Sequence, residues 1–600
     1  MIMNFRHHGA TIFQMYHLTD NNKHRQPLKC ISMKKISSFL LFALFLSGCY
    51  QDLGNYDYKL DSMNEITSVT FTPSVANDII EVQQALDEND RLRRVDVIVE
   101  QTLADSLENL EFYWFRTFVD EDGKPVQDTI RTKGYLEFYL PVGKAMSYNI
   151  FLQIYDKTTD LSHYSKFKIQ TRPMFKNSLF VLHGNEGDRK IGNIEVIGND
   201  TKIYTDIKTI TEDKNHYENA TGFGYTTFYN SAPGESFYYS FTLTVFCSNG
   251  ETKAYDHHDK MGVKFTSSQI FKPESENFSY RQTQQTGWHT IPSLYKIVLS
   301  DSGQVYIGNV LHALYKPGYG CENDSNSLHQ TDYKITAAAI THNRFLMWDA
   351  KNNRFLYAAK EDPKGFATGE VGSLDSAYKS TRPVLDAHVN YQGLLRSPEG
   401  MTAVMGYINY RDNNAYAYQN PYFIFKDETT GDYYRYELQQ RDSEKVKVAR
   451  GVGEARENVN SVYAIIGEKK LIGLTPTDMS TITYNSWFTT DYLFFAEGNT
   501  VYRYNVSNGD RVAVYEAPAG YDVTKIKFRT DDSATENGDI GRYLNIVMYN
   551  GTNGAVAEIK FTTAADVDND FAPLFYDRDN AGNLWEEIKD VIFAYEYKQD

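Results

Sequence analysis

The sequence predicts an all-β protein, in which a small sandwich precedes a β-propeller-like domain of about seven or eight blades. Tyrosine and phenylalanine, which favour strands, number 46 and 35 in a chain of 600 residues. Short apolar runs and turn-forming segments alternate along most of the chain. In the second domain these turns recur at intervals of roughly 50 residues, which is the spacing of propeller blades.

Residues 61–172 form the predicted sandwich. Trp114 lies among other aromatic residues, so we expect it at the centre of the core, while Tyr148, Ile150, Leu152 and Ile154 occupy alternate positions and predict one buried face. A domain of roughly 110 residues with five to seven strands suits an immunoglobulin-like sandwich. The strand-like runs are Val95 to Glu100, Glu111 to Phe118, Tyr135 to Leu140, Tyr148 to Tyr155 and Tyr164 to Ile169.

Residues 179–600 form the predicted propeller-like domain, which follows the break at Arg172-Pro173. Gly250 and Gly303 lie 53 residues apart, and so do Gly498 and Gly551. Asn-Gly and related pairs supply the positive φ values that tight hairpins need. A set of stacked sandwiches is the alternative. The turns that punctuate the domain are His183 to Gly187, Ser248 to Gly250, Asp301 to Gly303, Lys351 to Asn353, Thr429 to Gly431, Gly498-Asn499 and Asn550-Gly551.

Residues 33–48 are typical of a bacterial lipoprotein signal peptide. Lys34 and Lys35 precede the apolar run Ile36 to Leu46, which is too short to cross a bilayer as a permanent helix. The small residues Ser47-Gly48 then precede Cys49, as in a lipobox. We therefore predict that Cys49 receives a lipid and becomes the mature N-terminus. A chance cysteine at the end of an apolar helix is the alternative.

The segments on either side of this signal are interpreted differently. Residues 1–32 are polar and lack periodicity, and Met33 is a better signal start, so we interpret them as a non-native upstream extension. If they are translated, the apolar run lies internally and its processing is in doubt. Residues 49–60 are predicted to be a flexible, lipidated tether between the membrane and the sandwich.

Composition limits the partners of the chain. Its net charge is −17 and its basic residues do not cluster, so the footprint that a nucleic-acid partner needs is missing. After residue 49 no apolar run is long enough to cross a membrane. Cys247 and Cys321 are the cysteines that follow Cys49. They could pair in an oxidising compartment, or Cys247 could be a buried thiol.

Signatures of catalysis and of metal binding are scarce. The sequence contains no His-Glu-x-x-His, Gly-x-Ser-x-Gly or P-loop motif, so we predict no enzyme, no catalytic residue and no cofactor. Asp256-His257-His258-Asp259 holds four metal-ligating residue types. Adjacent strand residues face opposite sides, so we expect a solvated turn in place of a metal site.

Two acidic segments near the C-terminus are candidate calcium sites. Asp566, Asp568 and Asp570 alternate, and Asp577 to Gly582 resembles part of a calcium loop. The twelfth position of that loop is Ile588, where an EF-hand needs a bidentate glutamate, so the motif fails. We expect a polar hairpin turn, with a calcium loop of another kind as the alternative.

Aromatic residues mark two candidate binding segments. Exposed tyrosines can stack on sugar faces or pack against peptide side chains. The alternative is that they occupy core and surface positions of two strands. Nothing in the sequence chooses between these readings, so the ligand-binding residues stay unknown. The segments are Trp288-His289 and the run of Tyr407, Tyr410, Tyr416, Tyr418 and Tyr422.

The segment Cys49 to Tyr58 resembles the mature start of the PKD-like family lipoproteins of Bacteroidetes, which open with Cys-Tyr-x-Asp-x-Gly-Asn-Tyr-x-Tyr. The similarity continues at Trp348 to Phe355 and at Trp585 to Ile592. Leu53 departs from the basic residue that the family often carries there. The resemblance implies an N-terminal PKD-like sandwich and an outer-membrane lipoprotein that faces the cell exterior. It also implies association with SusC/SusD-type systems, which import glycans or peptides.

The residues and this resemblance together predict a non-catalytic surface lipoprotein, a binding or accessory component of a SusC/SusD-type nutrient uptake system. Its expected partners are the outer membrane through the lipid, the transporter and a glycan or peptide ligand. Two alternatives stay open. A propeller-based extracellular glycoside hydrolase or lyase would place paired carboxylates at one end of the channel. A purely structural subunit would bind the transporter and leave ligand recognition to it.

Overall fold

The fold is described from a computed structural model, in which the residues from Ile66 onward belong to one compact unit. The described residues are 64–594 with the exception of 76–77, 86–90, 104–106, 120–123, 142–145, 198–199, 209, 212–216, 231–237, 258–260, 273, 275–276, 289–290, 310–313, 317–332, 342–343, 360–381, 384, 387–392, 395–399, 409–420, 443–460, 466–469, 486–487, 489–490 and 530–539.

The sandwich consists of two sheets, and the predicted class is confirmed. The strands are ordered β1-β3-β6 in one sheet and β2-β8-β7-β4-β5 in the other, and β2 and β8 form the one parallel pair among them. The eight strands described are β1 (Ile66–Thr72), β2 (Ile79–Gln83), β3 (Leu92–Gln101), β4 (Leu110–Val119), β5 (Pro125–Thr132), β6 (Tyr135–Tyr139), β7 (Ser147–Asp156) and β8 (Leu161–Arg172).

All five predicted sandwich strands are confirmed, and the expected count of five to seven was too low. The sequence reading missed β1, β2 and β5. Neither β1 nor β5 buries a residue completely, so these strands lack the apolar alternation on which the prediction depended. The third missed strand, β2, has five residues, which is too short for a clear pattern.

The core of the sandwich is centred on Trp114, as predicted. Its side chain is fully buried, its indole donates to Thr132 Oγ1 at 3.0 Å, and its ring meets Phe167 edge-on at 6.4 Å. On β7 the predicted alternation is confirmed, because Tyr148, Ile150, Leu152 and Ile154 are all buried. Burying alternate residues of both sheets is what stabilises a sandwich of this size.

The second domain is built from short strands and very little helix. Its described helices are the single turn α1 (Ser267–Ile270) and two 3-10 turns, at Met479–Thr481 and at Ile540–Arg542. The strands are β9 (Ser178–His183), β10 (Lys190–Ile197), β11 (Asp200–Tyr204), β12 (Ala220–Asn230), β13 (Tyr238–Cys247), β14 (Lys253–Asp256), β15 (Gly262–Thr266), β16 (Phe271–Lys272), β17 (Tyr280–Trp288), β18 (Ile291–Ser300), β19 (Val305–Asn309), β20 (Leu314–Tyr315), β21 (Ile335–Thr341), β22 (Arg344–Asp349), β23 (Arg354–Ala359), β24 (Arg382–Pro383), β25 (Leu385–Asp386), β26 (Gly393–Leu394), β27 (Met401–Ile408), β28 (Pro421–Asp427), β29 (Tyr433–Asp442), β30 (Ser461–Ile465), β31 (Lys470–Ile472), β32 (Ile482–Tyr484), β33 (Tyr492–Glu497), β34 (Thr500–Asn505), β35 (Arg511–Glu516), β36 (Asp522–Phe528), β37 (Tyr543–Tyr549), β38 (Gly554–Lys560), β39 (Leu574–Tyr576) and β40 (Ile588–Ala594).

In the part of the chain that the structure describes, these strands form seven successive blades, and β25 pairs with β26 in a separate two-stranded sheet. Consecutive strands of each blade are antiparallel, whereas β16 pairs with β20 in parallel. The first blade is β40-β9-β10-β11, and the others are β12 to β15, β17 to β20 with β16 at the outer edge, β21 to β24, β27 to β30 with β31 on β29, β32 to β35 and β36 to β39. The C-terminal strand β40 pairs with β9, for example Val591 with Val181, so the last strand completes the first blade. The prediction of a propeller with about seven or eight blades is confirmed, and the described residues form seven blades.

Blades pack face to face around the ring. In the propeller the apolar clusters lie between neighbouring blades, as where Ile297 and Leu299 of the third blade pack with Ala338 and Met347 of the fourth. The largest cluster spans the seventh, first and second blades. A strand between two such clusters is buried on both faces, and all six residues of β9 are buried. This explains why the sequence of this domain shows apolar runs where the sandwich shows alternation.

Seven turns with a positive φ angle join the second and third strands of the seven blades. Asn-Gly and similar residues suit these turns because a glycine or asparagine tolerates this backbone conformation. They coincide with the seven turns that the sequence singled out. The residues with positive φ are Gly187, Gly250, Gly303, Asn353, Gly431, Gly498 and Gly551, with φ values of 89°, 81°, 86°, 51°, 77°, 59° and 88°.

A buried ion pair joins the sandwich to the first blade. Arg172, at the end of β8, donates to Glu195 Oε1 on β10 at 2.7 Å, and both side chains are almost fully buried. Lys176, in the connection, pairs with Glu81 on β2 at 3.3 Å. Burial raises the pKa of the Glu195 carboxyl, and the charge of Arg172 opposes that shift.

Candidate functional site

Several predicted residues lie outside the described part of the chain. Cys49 is among them, so lipid attachment stays a prediction, as do the signal peptide, the tether and the upstream extension. The same holds for Cys321, His258, Asp259, His289, Tyr410, Tyr416 and Tyr418. Within the described residues, no helix combines the length and the apolar character that crossing a membrane requires.

The structure at Asp256 and His257 differs from the solvated turn that the sequence predicts. Asp256 ends β14 and pairs with Lys264 at 3.2 Å, but His257 is completely buried, with its ring edge-on to Phe180 at 6.4 Å. The expected solvated turn is therefore wrong for His257, because its ring packs where the first and second blades meet. Among the described residues, no three histidine, cysteine or acidic side chains come together as a metal site would require.

The polar hairpin turn expected at Asp577 to Gly582 is confirmed. The carboxylate of Asp579 accepts hydrogen bonds from the backbone of Ala581 and Asn583, at 2.9 and 2.8 Å, and from Thr205 Oγ1 at 2.9 Å. This carboxylate thus shapes the connection that leads to β40 and ties it to the first blade. Of the alternating aspartates, Asp566 pairs with Arg503 at 2.7 Å, and Asp568 Oδ2 lies 3.9 Å from Lys560.

Tyr407 and Tyr422 are strand residues of the fifth blade. They face each other across β27 and β28, with rings stacked at 5.4 Å, and Tyr407 is buried. Arg435 lies over the Tyr422 ring at 4.4 Å and forms an ion pair with Asp491. For these two tyrosines the structural alternative is confirmed, since they form part of the contact between the fifth and sixth blades.

Two further predicted residues lie in or beside strands. Cys247 is buried at the end of β13, and its Sγ lies 3.9 Å from the carbonyl oxygen of Val245. Its pairing with Cys321 stays open. Trp288 ends β17, and its backbone pairs with Ile291.

The structure brings together a polar group that the sequence reading did not identify, here termed the channel cluster: Tyr280, Arg281, Lys525, Lys527 and Asp590. These residues lie on β17, β36 and β40, which are the innermost strands of the third, seventh and first blades. Lys527 Nζ lies 5.9 Å from the centroid of the Tyr280 ring. Because the third and seventh blades are not neighbours, such a contact can form only close to the axis of the ring.

A second contact between blades that are not neighbours supports this position. Arg281, on the third blade, donates through Nη2 to the carbonyl oxygen of Val404 on the fifth blade at 3.4 Å. The innermost strands also approach closely. A Cβ atom built on Gly222 of β12 would lie 2.1 Å from Cδ1 of Tyr280. A glycine within a strand is the sequence signal for such an approach, but it does not reveal which residue comes near.

Asp590 anchors the channel cluster. Its carboxylate is 1% exposed and accepts from Lys525 Nζ at 3.0 Å and from the backbone N–H of Phe223 at 2.9 Å, while Lys527 Nζ lies 3.6 Å away. Burial by itself would raise the pKa of Asp590, but the two lysine charges and the donated hydrogen bonds hold it below its usual value. Asp590 is therefore a charged acceptor at neutral pH.

The channel cluster is cationic. Lys525 and Lys527 surround the single carboxylate of Asp590, and Arg281 adds a third basic side chain near the axis, where it contacts the fifth blade. The net charge of the whole chain is −17. The side chains of Lys525 and Lys527 are 26% and 30% exposed, so both ammonium groups can reach water. Burial lowers the pKa of Arg281, and the charge of Asp301 opposes that shift. A site with this balance attracts anionic groups.

The carboxylates on the innermost strands bear on whether these strands could catalyse glycoside hydrolysis. Glycoside hydrolases use two carboxyl groups, of which one has a raised pKa and donates a proton. The innermost strands described here carry two carboxylates, Asp522 and Asp590. Asp522 is exposed at the start of β36, whereas Asp590 has a lowered pKa and accepts from lysine and backbone donors. The arrangement is suited to holding charge and poorly suited to delivering a proton.

A family model described as the PKD-like family matches residues 49–222. The match therefore begins at Cys49 and covers the sandwich and strands β9 to β11 of the first blade, but not β40. No curated protein matches the chain.

Several solved structures align over most of the chain at low similarity. A quinonprotein alcohol dehydrogenase-like protein from Bacteroides thetaiotaomicron has 9% identity and a TM-score of 0.33, over 86% of this chain and 97% of that one. AztD from Citrobacter koseri has 8% identity and a TM-score of 0.29, over 82% and 100%. An auxiliary nutrient binding protein from Bacteroides thetaiotaomicron has 11% identity and a TM-score of 0.24, over 80% and 94%. At these TM-scores the alignments carry no argument, and the fold assignment rests on the strand order.

Proposed function

We propose that this protein is an outer-membrane lipoprotein, anchored through Cys49 with its folded domains at the cell exterior. It acts as a non-catalytic binding or accessory component of a SusC/SusD-type nutrient uptake system. The observation that carries the proposal is the channel cluster, which presents cationic side chains at the axis of a closed ring. Its one buried carboxylate, Asp590, is paired with Lys525 and Lys527, and its lowered pKa favours the charged form.

The N-terminal sequence supports the anchoring part of the proposal. The charged, apolar and small residues of a lipoprotein signal lead up to Cys49 in the required order, and the PKD-like match begins at this same residue. Residues 49–60 then provide a tether whose fully extended length is on the order of 40 Å. Such a length lets the sandwich and propeller search for a partner in the same membrane.

Capture and transfer describe the proposed mechanism. The ring is closed by β40 and the sandwich is joined to it by the pair of Arg172 and Glu195, so the binding surfaces are held in place before a ligand arrives. Preorganised surfaces lose little entropy on binding, and affinity then comes from shape and charge without a covalent step. The cationic axis favours nutrients, or transporter loops, that carry negative charge.

Metabolic labelling with a fatty acid tests the anchor. We expect the full-length protein to take up label in its native host and the Cys49→Ser variant to take up none, with Cys321→Ser as the control that keeps its label. Label that survives in Cys49→Ser would refute the anchor.

Affinity purification from native outer membranes tests the role. We expect a SusC/SusD-like pair to be recovered with the anchored protein. Release of sugars or peptides from polymers by the pure protein would instead establish the enzyme alternative and overturn the proposal.

A further inference from the structure

The outer face of the five-stranded sandwich sheet carries three aromatic rings, here termed the aromatic platform: Phe115, which is half-buried, and Phe151 and Tyr164, which are exposed. They lie on the neighbouring strands β4, β7 and β8, and Phe115 is paired directly with Phe151. The ring centroids are 5.9 Å apart for Phe115 and Phe151, and 5.4 Å apart for Phe151 and Tyr164, which are stacked. The platform therefore crosses three strands, about 10 Å of sheet surface.

These rings are not needed to fill the sandwich core. The opposite face of the same strands is completed by Trp114, Leu152 and their neighbours, which are fully buried. Phe151 and Tyr164 are instead 41% and 54% exposed. Contiguous large aromatic groups exposed on a folded domain are typical of a binding surface.

Polar groups surround the aromatic platform at positions set by the strand register. Gln153 lies beside Tyr164 and donates to Ser162 Oγ at 2.9 Å. Lys166 is paired with Phe151, and Lys168 follows on the same face of β8. Neither ammonium group lies within ion-pair distance of a carboxylate among the described residues. The β8 side of the rim thus carries two basic side chains, on a chain whose net charge is −17.

We propose that the aromatic platform binds an acidic polysaccharide, a chain of pyranose rings that carries carboxylate groups. The apolar faces of consecutive sugar rings stack on Phe151 and Tyr164, while Lys166 and Lys168 pair with the carboxylates. The amide of Gln153 is placed to hydrogen-bond a ring hydroxyl. Charge complementarity selects this ligand, because a neutral glycan would leave both lysines unused.

This inference rests on the proposed function for the source of the ligand, because a nutrient-capturing protein at the cell exterior meets such polymers. It adds a ligand class and places recognition on the sandwich, away from the channel cluster. The two ideas can fail separately. Membrane purification tests association with a transporter, whereas a binding assay on the full-length soluble chain with Cys49→Ser tests the platform.

Gel electrophoresis through polygalacturonate, with calorimetry on the same polymer, tests the inference. The test variant is Phe151→Ala with Tyr164→Ala. The matched control is Tyr139→Ala, which removes a tyrosine that is 67% exposed on the other sheet of the sandwich. We expect the parent and the control to be retarded equally, and the double variant to bind at least about tenfold more weakly. Gels containing neutral hydroxyethyl cellulose should retard none of them.

The charge component has its own variant, Lys166→Gln with Lys168→Gln. We expect weaker binding to polygalacturonate and a smaller dependence of the affinity on salt, because two screened charge contacts are lost. If the double aromatic variant fails to fold, Tyr164→Ala alone decides, because more than half of that side chain is already in solvent.

The proposal is overturned if the parent is not retarded by polygalacturonate, or if neutral cellulose retards it equally. It is also overturned if a folded Phe151→Ala/Tyr164→Ala variant keeps its affinity. Loss of transporter copurification in that variant, without any polysaccharide binding by the parent, would show that the platform contacts a protein instead.

Discussion

At Asp590 two opposing effects act on one carboxylate. Its 1% exposure disfavours the charge, whereas Lys525, Lys527 and the N–H of Phe223 stabilise it. The lowered pKa shows that the stabilising contacts prevail. These partners come from the seventh and second blades, on either side of the first, so the carboxylate also links three blades at the point where the ring closes.

Replacing Asp590 with asparagine keeps the size of the side chain and removes its charge. We expect the free energy of unfolding to fall by about 2 kcal/mol, because Lys525 and Lys527 lose their shared partner but stay partly hydrated. Urea denaturation followed by circular dichroism measures the change. Asp522→Asn is the matched control, on the same ring and exposed, and its effect should stay within about 0.5 kcal/mol.

The contribution of Asp590 depends on pH in a known direction. Its pKa is lower in the folded state than in the unfolded chain, where an aspartate titrates near about 3.9. The stabilisation is therefore fully present above the unfolded pKa and is lost as the pH falls through the lower folded pKa. The parent and Asp590→Asn should converge in unfolding free energy under acidic conditions; a constant difference down to pH of about 2 would contradict this account.

Among the elements, the innermost strands pack closely against the neighbouring blades. On β12, a Cβ atom added at Gly222 would meet the Tyr280 ring at 2.1 Å, a distance that requires the ring or the strand to move. Tyr280 also stacks on Phe246 at 4.9 Å, so its ring is held in place by the second blade. Close packing of this kind explains why a residue without a side chain stands near the start of β12.

Gly222→Ala should therefore destabilise the protein by about 1–3 kcal/mol through overpacking. Gly473→Ala is the control, because its added Cβ would lie 3.6 Å from Tyr504, an ordinary contact distance. Thermal unfolding of the two variants compares them. Equal midpoints would show that the innermost strands are looser than the structure indicates.

Individual strands show which elements a sequence pattern can predict and which it misses. Strand β7 was predicted because one of its faces is buried and the other is not. Strand β5 was missed because none of its residues is fully buried, which leaves no contrast along the chain. The expectation of a solvated turn at His257 was wrong because this residue is buried by Phe180 and other residues that are distant in the sequence. A local sequence pattern predicts a strand when buried and exposed residues alternate along that strand.

At the scale of the whole molecule, closure by β40 is the decisive contact. This strand pairs with β9 and contacts β12 and β37, so the C-terminal residues complete the first blade and its contacts with the second and seventh. Without it, the apolar faces that Val591 and Phe593 cover would be exposed. A ring held by one terminal strand is expected to unfold cooperatively.

Truncation tests this closure. A chain that ends after Glu587 lacks β40, and we expect it to lose its cooperative thermal transition and to aggregate during size-exclusion chromatography. A chain that ends after Ala594 keeps every described residue of β40 and should behave like the parent. A cooperative transition in the shorter chain would show that the other blades hold the ring without it.

The sequence by itself determined the strand-rich class, the position of the sandwich, the seven turns with positive φ and the lipoprotein-like start, because each depends on neighbouring residues. The tertiary structure alone decided the blade count, the channel cluster and the aromatic platform. Tyr280 and Lys527, or Phe115 and Tyr164, are brought together by sheet register and ring closure. Such contacts join residues far apart along the chain, and no local periodicity encodes them.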